Sequence, residues 1–179
     1  MKYLIGILLI IMTMNTENIF NFSPNADIQK WQIVDDVVMG GRSSGNLELT
    51  PAGHGKFTGT ISLENNGGFS SLRYPFSPID VHPEDQIQLR IKGDGKIYQF
   101  RVKHDRQYRY SYMFEIETTG QWQTVEIPLQ DMQPVFRGRN MDLPDFDKST
   151  LEEVTFLIGN KKEESFELLI DSIELIVDK

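Results

Sequence analysis

The chain has 179 residues, of which 39% are hydrophobic and 25% charged, and its formal net charge at pH 7 is −8. This composition is typical of a folded globular protein of one domain and excludes an intrinsically disordered chain. The acidic balance argues against a general nucleic-acid binder, and the absence of cysteine excludes disulfide bonds, thiolate metal sites and a cysteine nucleophile.

The first segment, residues 1–16, is predicted to be a signal peptide or a membrane tether. Lys2 precedes an apolar run over residues 3–12, which has the length of a signal-peptide core and is too short for a membrane-spanning helix. We therefore expect export to the periplasm or cell envelope, or tethering to a membrane, with a cytoplasmic location as the alternative. Residues 17–27 are polar and Asn-rich and are predicted to be a linker, followed by one domain over residues 28–179.

Short segments with alternating apolar residues dominate from residue 28 onward. Apolar side chains recur at every second position, as in Ile87, Leu89 and Ile91, which is the period of a strand with one buried face. Turn-forming residues separate these segments, and no long stretch of the domain has the helical period. We predict an all-β fold, an antiparallel β-sandwich of the jelly-roll type with roughly eight to ten strands.

Two stretches depart from this regular alternation. In the last predicted strand the apolar residues change parity around Asp171 and Ser172, which predicts a β-bulge or a bend. Residues 131–149 are predicted to form the one long irregular connection, and loops of that length within a compact domain are often functional or mobile.

The segment from Trp31 to Gly45, WQIVDDVVMGGRSSG, contains two adjacent acids and two adjacent glycines. Adjacent strand residues point to opposite faces, so Asp35 and Asp36 are a weak pair of metal ligands, although calcium held with loop carbonyls is an alternative. We expect instead that one carboxylate accepts hydrogen bonds from the backbone amides of the turn at Gly40 and Gly41.

Two glycine turns are predicted to be structural. The first is the turn Met39 to Gly41, for which an anion-binding nest with Arg42 adding positive charge is the alternative. The second is Gly93, Asp94 and Gly95, the tightest turn in the sequence. No nucleotide-binding glycine motif is present, so nucleotide binding is not expected.

The tryptophans Trp31 and Trp122 are interpreted as packing residues, with stacking on a sugar ring as the alternative. The sharpest local signal lies in the long connection, where residues 136–139 read Phe-Arg-Gly-Arg. Two guanidinium groups that flank a glycine can clamp a carboxylate or a phosphate, so Arg137 and Arg139 are candidate contacts with an anion or a partner. Internal salt bridges to the acidic C-terminal part are the alternative.

Charge is distributed unevenly along the chain. The stretch from Arg90 to Arg109 has seven basic residues and two acidic ones, whereas residues 142–179 have eleven acidic residues and four lysines. This polarity could orient a partner, or the two stretches could complement each other within the sheets.

No segment has a catalytic motif. The three histidines lie apart without metal-ligand spacing, and no serine lies in a nucleophile-elbow motif. We predict no catalytic residue, no metal and no cofactor. A secreted hydrolase that uses paired carboxylates is the least favoured alternative, and its candidate acids are Glu115, Glu117, Glu126 and Asp171.

Five segments, in order, resemble the complex I intermediate-associated protein 30 family: residues 31–45, 57–73, 90–102, 122–129 and 136–139. The resemblance implies a galactose-binding-like jelly-roll sandwich. It also implies a non-catalytic, chaperone-like assembly factor that binds a protein partner, such as a membrane-associated complex. The recurring marks of the family correspond here to Met39–Gly41, Gly93–Gly95 and Phe136–Arg139. The secretion-like start favours a bacterial member over a mitochondrial one, and a carbohydrate-binding module of the cell envelope is the alternative function.

Overall fold

Two antiparallel β-sheets pack face to face in the structure, a computed structural model that describes residues 15–177. The strands are β1 Asn15–Asn21, β2 Gln32–Asp35, β3 Ser44–Leu49, β4 Gly55–Ile61, β5 Ser70–Asp80, β6 Gln86–Lys92, β7 Ile97–Lys103, β8 Ser111–Glu117, β9 Gln123–Pro128, β10 Gln133–Phe136, β11 Arg139–Asn140, β12 Thr150–Ile158 and β13 Glu164–Val177. Short 3-10 turns occupy Asp36–Met39, Glu64–Asn66 and Leu129–Asp131. The predicted all-β antiparallel sandwich is confirmed.

One sheet has six strands and the other has seven. The six-stranded sheet has the order β3-β4-β13-β6-β9, and β1 also pairs with β13. The seven-stranded sheet has the order β11-β10-β8-β7-β12-β5-β2. Strand β13 is central because it pairs with β4, β6 and β1.

The core lies between the sheets and is built from the alternating apolar positions of the strands. On β6, Ile87, Leu89 and Ile91 are fully buried, and on β7 the buried positions are Tyr98, Phe100 and Val102. The intervening residues face away from the core because strand side chains alternate between the two faces. Burying one large apolar side chain in the core stabilises the fold by roughly 1.5–3 kcal/mol.

Strand β1 spans the end of the predicted first segment, residues 1–16, and the start of the predicted linker, residues 17–27. Residues Asn15–Asn21 pair antiparallel with the end of β13, and Phe20 of this strand is buried in the core. The strand has few apolar residues of its own, so the pairing and the burial of Phe20 hold it in place.

The predicted bulge in the last strand is confirmed. The register between β13 and β6 shifts between Ile170 and Ser172. Asp171 lies in this shift, and its carbonyl accepts a hydrogen bond from the amide of Phe22 at 2.9 Å. The extra residue restores the inward face of the second half of the strand.

The predicted irregular connection over residues 131–149 is more ordered than expected. Strands β10 and β11 lie within it and form a hairpin, and β10 continues the seven-stranded sheet beyond β8. Farther along, Phe146 is buried and its amide donates to the carbonyl of Met132 at 3.0 Å.

The predicted signal peptide or tether falls on residues 1–16, of which residues 1–14 lie outside the described part. Within residues 15–177, no helix has the length and the apolar character needed to cross a membrane.

Candidate functional site

The seven-stranded sheet bears a groove of about 780 Å³ on the face that points away from the core. Its floor is made by alternate residues of β7, β8 and β12. The strand order puts the β10–β11 hairpin at one side of the groove and the segment that precedes β5, residues 67–69, at the other. We call this feature the basic groove, because its lining is positively charged although the chain is acidic.

The basic groove is lined by more cations than carboxylates. The carboxylates are Glu115 and Glu153, and the cationic side chains are Arg73, Arg101, Lys103, Arg109, Arg137 and Lys161. A concave surface with such an excess of one sign attracts ligands of the opposite sign. The groove is therefore suited to an anionic ligand.

Two arginines on the floor of the groove flank a single residue. Thr155 of β12 lies directly opposite Arg73 of β5 on one side and Arg101 of β7 on the other. Neighbouring strands are about 4.8 Å apart, so the backbones of the two arginines lie about 10 Å apart. Directly opposite residues share a face of the sheet, so the side chains of Arg73 and Arg101 leave the sheet on the same side as that of Thr155.

Neither of these two arginines has a carboxylate partner among the described residues. Arg101 donates from Nε and Nη2 to Oε1 of Gln99, at 3.1 and 2.6 Å, and Nε of Arg73 is buried without a hydrogen-bond partner. None of the salt bridges found among residues 15–177 involves either guanidinium. Burial, together with the charge of Arg73, lowers the pKa of Arg101 to about 10.

Lys103 adds a third positive charge to the same floor. Burial lowers the pKa of Lys103, and the nearby carboxylate of Glu153 offsets this effect only in part. Its ammonium donates to the carbonyl of Tyr108 at 2.5 Å. The lowered pKa values of Arg101 and Lys103 share their two causes, burial first and then the positive charge of Arg73.

The candidate arginines of the Phe-Arg-Gly-Arg segment lie on the β10–β11 hairpin. Arg137 lines the groove, has a φ of +50°, and lies over the ring of Phe136 at 5.3 Å. Arg139 pairs with Phe136 across the hairpin. Within the described residues neither arginine forms the internal salt bridge that was the alternative.

Arg42, the third candidate contact, is separate from the groove. Its guanidinium forms a salt bridge with Glu64 at 2.9 Å on the surface. Of the three candidate arginines, Arg137 lines the groove, whereas Arg42 and Arg139 are outside its lining.

Asp36 anchors the segment at one side of the groove. Its buried carboxylate accepts hydrogen bonds from the amide and the hydroxyl of Ser43, and from the amides of Gly68 and Phe69. Burial alone would raise the pKa of Asp36, but these hydrogen bonds outweigh it and hold the pKa below its ordinary value.

The donors to Asp36 differ from those that the sequence suggested. The amides of Gly40 and Gly41 donate to the backbone carbonyls of Val37 and Asp36 and not to the carboxylate. Gly41 has another role, because a Cβ atom there would lie 2.3 Å from Oδ1 of Asp36. Gly67 is equally restricted, with a Cβ atom 2.5 Å from Oδ2 of the same carboxylate.

The second glycine turn is also held by a carboxylate. Asp94 accepts hydrogen bonds from Nζ of Lys96, from the hydroxyl of Tyr98 and from the amide of Glu167. Burial would raise the pKa of Asp94, but these donors lower it overall. Gly95, with a φ of +82°, supplies the left-handed residue of the turn. The turn therefore ties β7 to β13 of the other sheet.

Neither tryptophan lines the groove. Trp31 is buried and packs against Phe20, Phe22 and Tyr74. Trp122 is half-buried, and the guanidinium of Arg90, on the six-stranded sheet, lies 5.6 Å from the centre of its ring.

Phe69 and Phe136 are the aromatic residues of the groove lining within the described residues. A row of Trp or Tyr rings, which sugar-binding faces use for stacking, is not part of this lining.

The four candidate acids of a hydrolase are not brought together. Glu115 and Glu117 lie on β8 of the seven-stranded sheet, whereas Glu126 and Asp171 lie on the six-stranded sheet. Within residues 15–177, no group of three or more His, Asp or Glu side chains is arranged to hold a metal ion.

The floor arginines were not among the candidates from the sequence. The basic excess of residues 90–109 was a signal for Arg101 and Lys103, since both lie in that stretch. Arg73 had no such signal, because only the register of β5 against β12 places it beside Thr155.

Comparisons with known proteins give matches over nearly the whole chain. Residues 20–170 match the family model described as Complex I intermediate-associated protein 30. The mitochondrial Complex I intermediate-associated protein 30 of Mus musculus is 25% identical over 190 residues, covering 89% of this chain and 56% of that protein. The Drosophila melanogaster protein of the same name is 24% identical over 149 residues, covering 71% and 50%. The chain spans about half the length of these two relatives.

Among solved structures, a family 11 carbohydrate-binding module from Clostridium thermocellum, in complex with a mixed-linked tetrasaccharide, has a TM-score of 0.66. It is 17% identical and covers 90% of this chain and 95% of that chain. At this identity the likeness shows the shared sandwich fold alone.

The expected location of the protein is corrected by these comparisons. The mouse and fly relatives are named as mitochondrial proteins, so the prediction of export to the cell envelope or tethering there is wrong. That prediction depended on residues 1–16, and the apolar length of a segment does not by itself separate a secretion signal from other leader segments.

Proposed function

Because the chain belongs to the complex I intermediate-associated protein 30 family, we propose that it is a non-catalytic interaction domain that holds a protein partner during assembly of a respiratory complex. The partner lies in the basic groove. The observation that carries the proposal is the set of desolvated cations on the groove floor, of which Arg73 and Arg101 have no salt-bridge partner among the described residues.

The charge of the groove favours an acidic partner. Unpaired cations in a partly desolvated groove attract carboxylates from a distance and bind them more strongly than exposed cations do. The chain as a whole has a charge of −8, so the groove is a local exception that orients an approaching partner. An acidic segment of a protein fits this pattern.

Carbohydrate binding is the second reading, and the fold shared with carbohydrate-binding modules supports it. The groove lining argues against it as the main function, because a neutral sugar gains little from uncompensated cations and needs aromatic faces for stacking. The crosslinking experiment and the glycan array described below distinguish the two functions.

Site-specific photo-crosslinking tests the proposal. A photoreactive amino acid replaces Ser111 on the groove floor in one variant and Gln88, on the outward face of the six-stranded sheet, in the control. Each variant is incubated with the membrane fraction of the source organism, irradiated and analysed by mass spectrometry. We expect the groove variant to crosslink to a subunit of the respiratory complex and the control not to do so.

Two outcomes would overturn the proposal. One is crosslinking to complex subunits from the Gln88 variant alone, which would place the interface on the other sheet. The other is a groove that binds polysaccharide and no protein, as measured with a glycan array at two salt concentrations.

A further inference from the structure

We infer that Arg73 and Arg101 form a carboxylate-binding subsite on the floor of the basic groove, which takes one acidic side chain of the bound protein segment. This inference depends on the proposed function, since it names the chemistry by which the same groove recognises its partner. Its basis is that Arg73 and Arg101 lie directly opposite Thr155, one on either side of it, on one face of the sheet.

Each of the two guanidinium groups has N–H donors that form no hydrogen bond among the described residues. Arg101 uses Nε and Nη2 on Gln99, which leaves the N–H groups of Nη1 without a protein acceptor among the described residues. Nε of Arg73 is buried and has no acceptor either. Buried donors without an acceptor are rare in folded proteins, and the planar donor fork of arginine matches a carboxylate.

Neither acid of the groove forms a salt bridge with this pair within residues 15–177. Glu153 lies one row away, directly opposite Lys103. Its charge raises the pKa of Lys103, and its Oε1 accepts a hydrogen bond from the hydroxyl of Thr155 at 3.5 Å. Glu115 lies opposite Gln99 on the far side of β7 from Thr155. The two arginines therefore repel each other at neutral pH, and a carboxylate placed between them would relieve this repulsion.

The surroundings of the pair favour a protein carboxylate over a phosphate polymer. Two apolar residues line the groove close to the pair: Met113 lies directly opposite Arg101, and Leu157 lies directly opposite Gln99 in the next row. A polyphosphate chain requires cations in sequence along its path, whereas a peptide with acidic and apolar side chains would satisfy both the arginines and these apolar neighbours. The occupant is therefore an acidic, partly apolar segment of a protein.

The subsite has a consequence for the free protein. Two desolvated like charges without a counter-ion destabilise the fold, so replacing one of them should not lower the unfolding temperature and should raise it. Loss of binding combined with unchanged or increased stability separates a binding pair from a structural pair.

The test uses a synthetic ten-residue peptide of alternating glutamate and leucine, and a matched peptide in which glutamine replaces glutamate. Binding to the full chain is measured by titration calorimetry, and the Nε–Hε signals of the arginines are followed by NMR. The variants are Arg73→Gln, Arg101→Gln and the conservative Arg101→Lys. The matched control is Arg109→Gln, which removes the same charge from an exposed position of the groove lining.

We expect the glutamate peptide to bind to Arg73→Gln and to Arg101→Gln at least about tenfold more weakly than to the parent protein, since each replacement removes a charge-assisted hydrogen bond. Arg109→Gln should lose about threefold or less in affinity for this peptide, and the affinity of Arg101→Lys should lie between those of Arg101→Gln and the parent. The Nε–Hε NMR signal of Arg73 should shift when the peptide binds. Neither floor variant should unfold at a lower temperature than the parent.

Three results would overturn the inference. The first is an equal loss in all three glutamine variants, which would show a diffuse charge effect. The second is a lower unfolding temperature of both floor variants, which would show a structural pair. The third is binding of inorganic phosphate or heparin, and not of the peptide, with the same dependence on Arg73 and Arg101.

The failure of the inference and that of the proposed function are distinguishable. If the photoreactive residue at position 111 crosslinks to a complex subunit while replacement of Arg73 or Arg101 leaves the affinity for the glutamate peptide unchanged, the inference fails and the proposed function stands. If neither crosslink nor peptide binding occurs, both fail.

Discussion

Ser43 donates two hydrogen bonds to the carboxylate of Asp36, one from its amide and one from its hydroxyl. The amides of Gly68 and Phe69 reach the same carboxylate from the segment that borders the basic groove. One buried anion thus joins the start of β3 to the start of β5, and the shape of one side of the groove depends on it.

Replacing Asp36 by asparagine should lower the free energy of unfolding by about 2–4 kcal/mol at pH 7, because backbone donors lose a charged acceptor and face an amide. The measurement is urea denaturation. Asp131→Asn, at an exposed position, removes the same charge and should change stability by less than about 0.5 kcal/mol.

The lowered pKa of Asp36 predicts that its contribution to stability depends on pH. The pKa of Asp36 is lower in the folded protein than its ordinary value of 3.8, so its contribution is present above pH 3.8 and is lost as the pH falls through the folded pKa. The stability difference between the parent and Asp36→Asn should therefore shrink in acid. A difference that is constant down to pH 2 would contradict this account.

Gly41→Ala should destabilise the fold by more than about 2 kcal/mol, because its Cβ atom would overlap the carboxylate of Asp36. Gly40→Ala is the matched neighbour, since it has open space but a φ of +91°, and it should cost only about 1 kcal/mol through backbone strain. Thermal unfolding of both variants checks the order, and equal losses would argue against crowding at Asp36.

Phe20→Ala should destabilise the fold by about 3 kcal/mol, because it removes a buried ring that packs against Phe22, Trp31 and Tyr74. Asn18→Ala, at an exposed position of the same strand, should be nearly neutral. If both variants unfold as the parent does, β1 contributes nothing to stability and a linker is the better description.

Replacing Arg137 and Arg139 together by alanine should weaken capture of the partner and leave the thermal transition within about 1 °C, because both side chains are exposed. The paired control is Lys30→Ala with Lys92→Ala, outside the groove lining. Capture is measured by recovery of the crosslinked subunit, and unaltered recovery would count against these arginines as contacts.

The parts of the fold that could be predicted from the sequence are those with a local pattern. The strict alternation in β6 and β7 gave the buried face of each strand, and the change of parity near Asp171 gave the bulge. Strand β1 could not be predicted, because it is mostly polar and pairs with residues more than 150 positions away in the sequence.

The candidate site was only partly predictable for the same physical reason. The sequence suggested that an acid in the Asp35–Asp36 pair is structural, but two of its backbone donors come from more than 30 residues away. Arg73 and Arg101 meet only because β12 lies between β5 and β7 in the sheet. Nonlocal strand order determines both arrangements, and no short window of sequence encodes it.

The pairing of Asn15 with Val177 brings the first and last described strands side by side. A circular permutant in which a short linker joins residues 15 and 177 should therefore keep both sheets intact. Its new termini could lie, for example, at the exposed tip of the β10–β11 hairpin. The same adjacency lets this sandwich be inserted as a closed module into a surface loop of another polypeptide, with the basic groove still open to solvent on the opposite sheet.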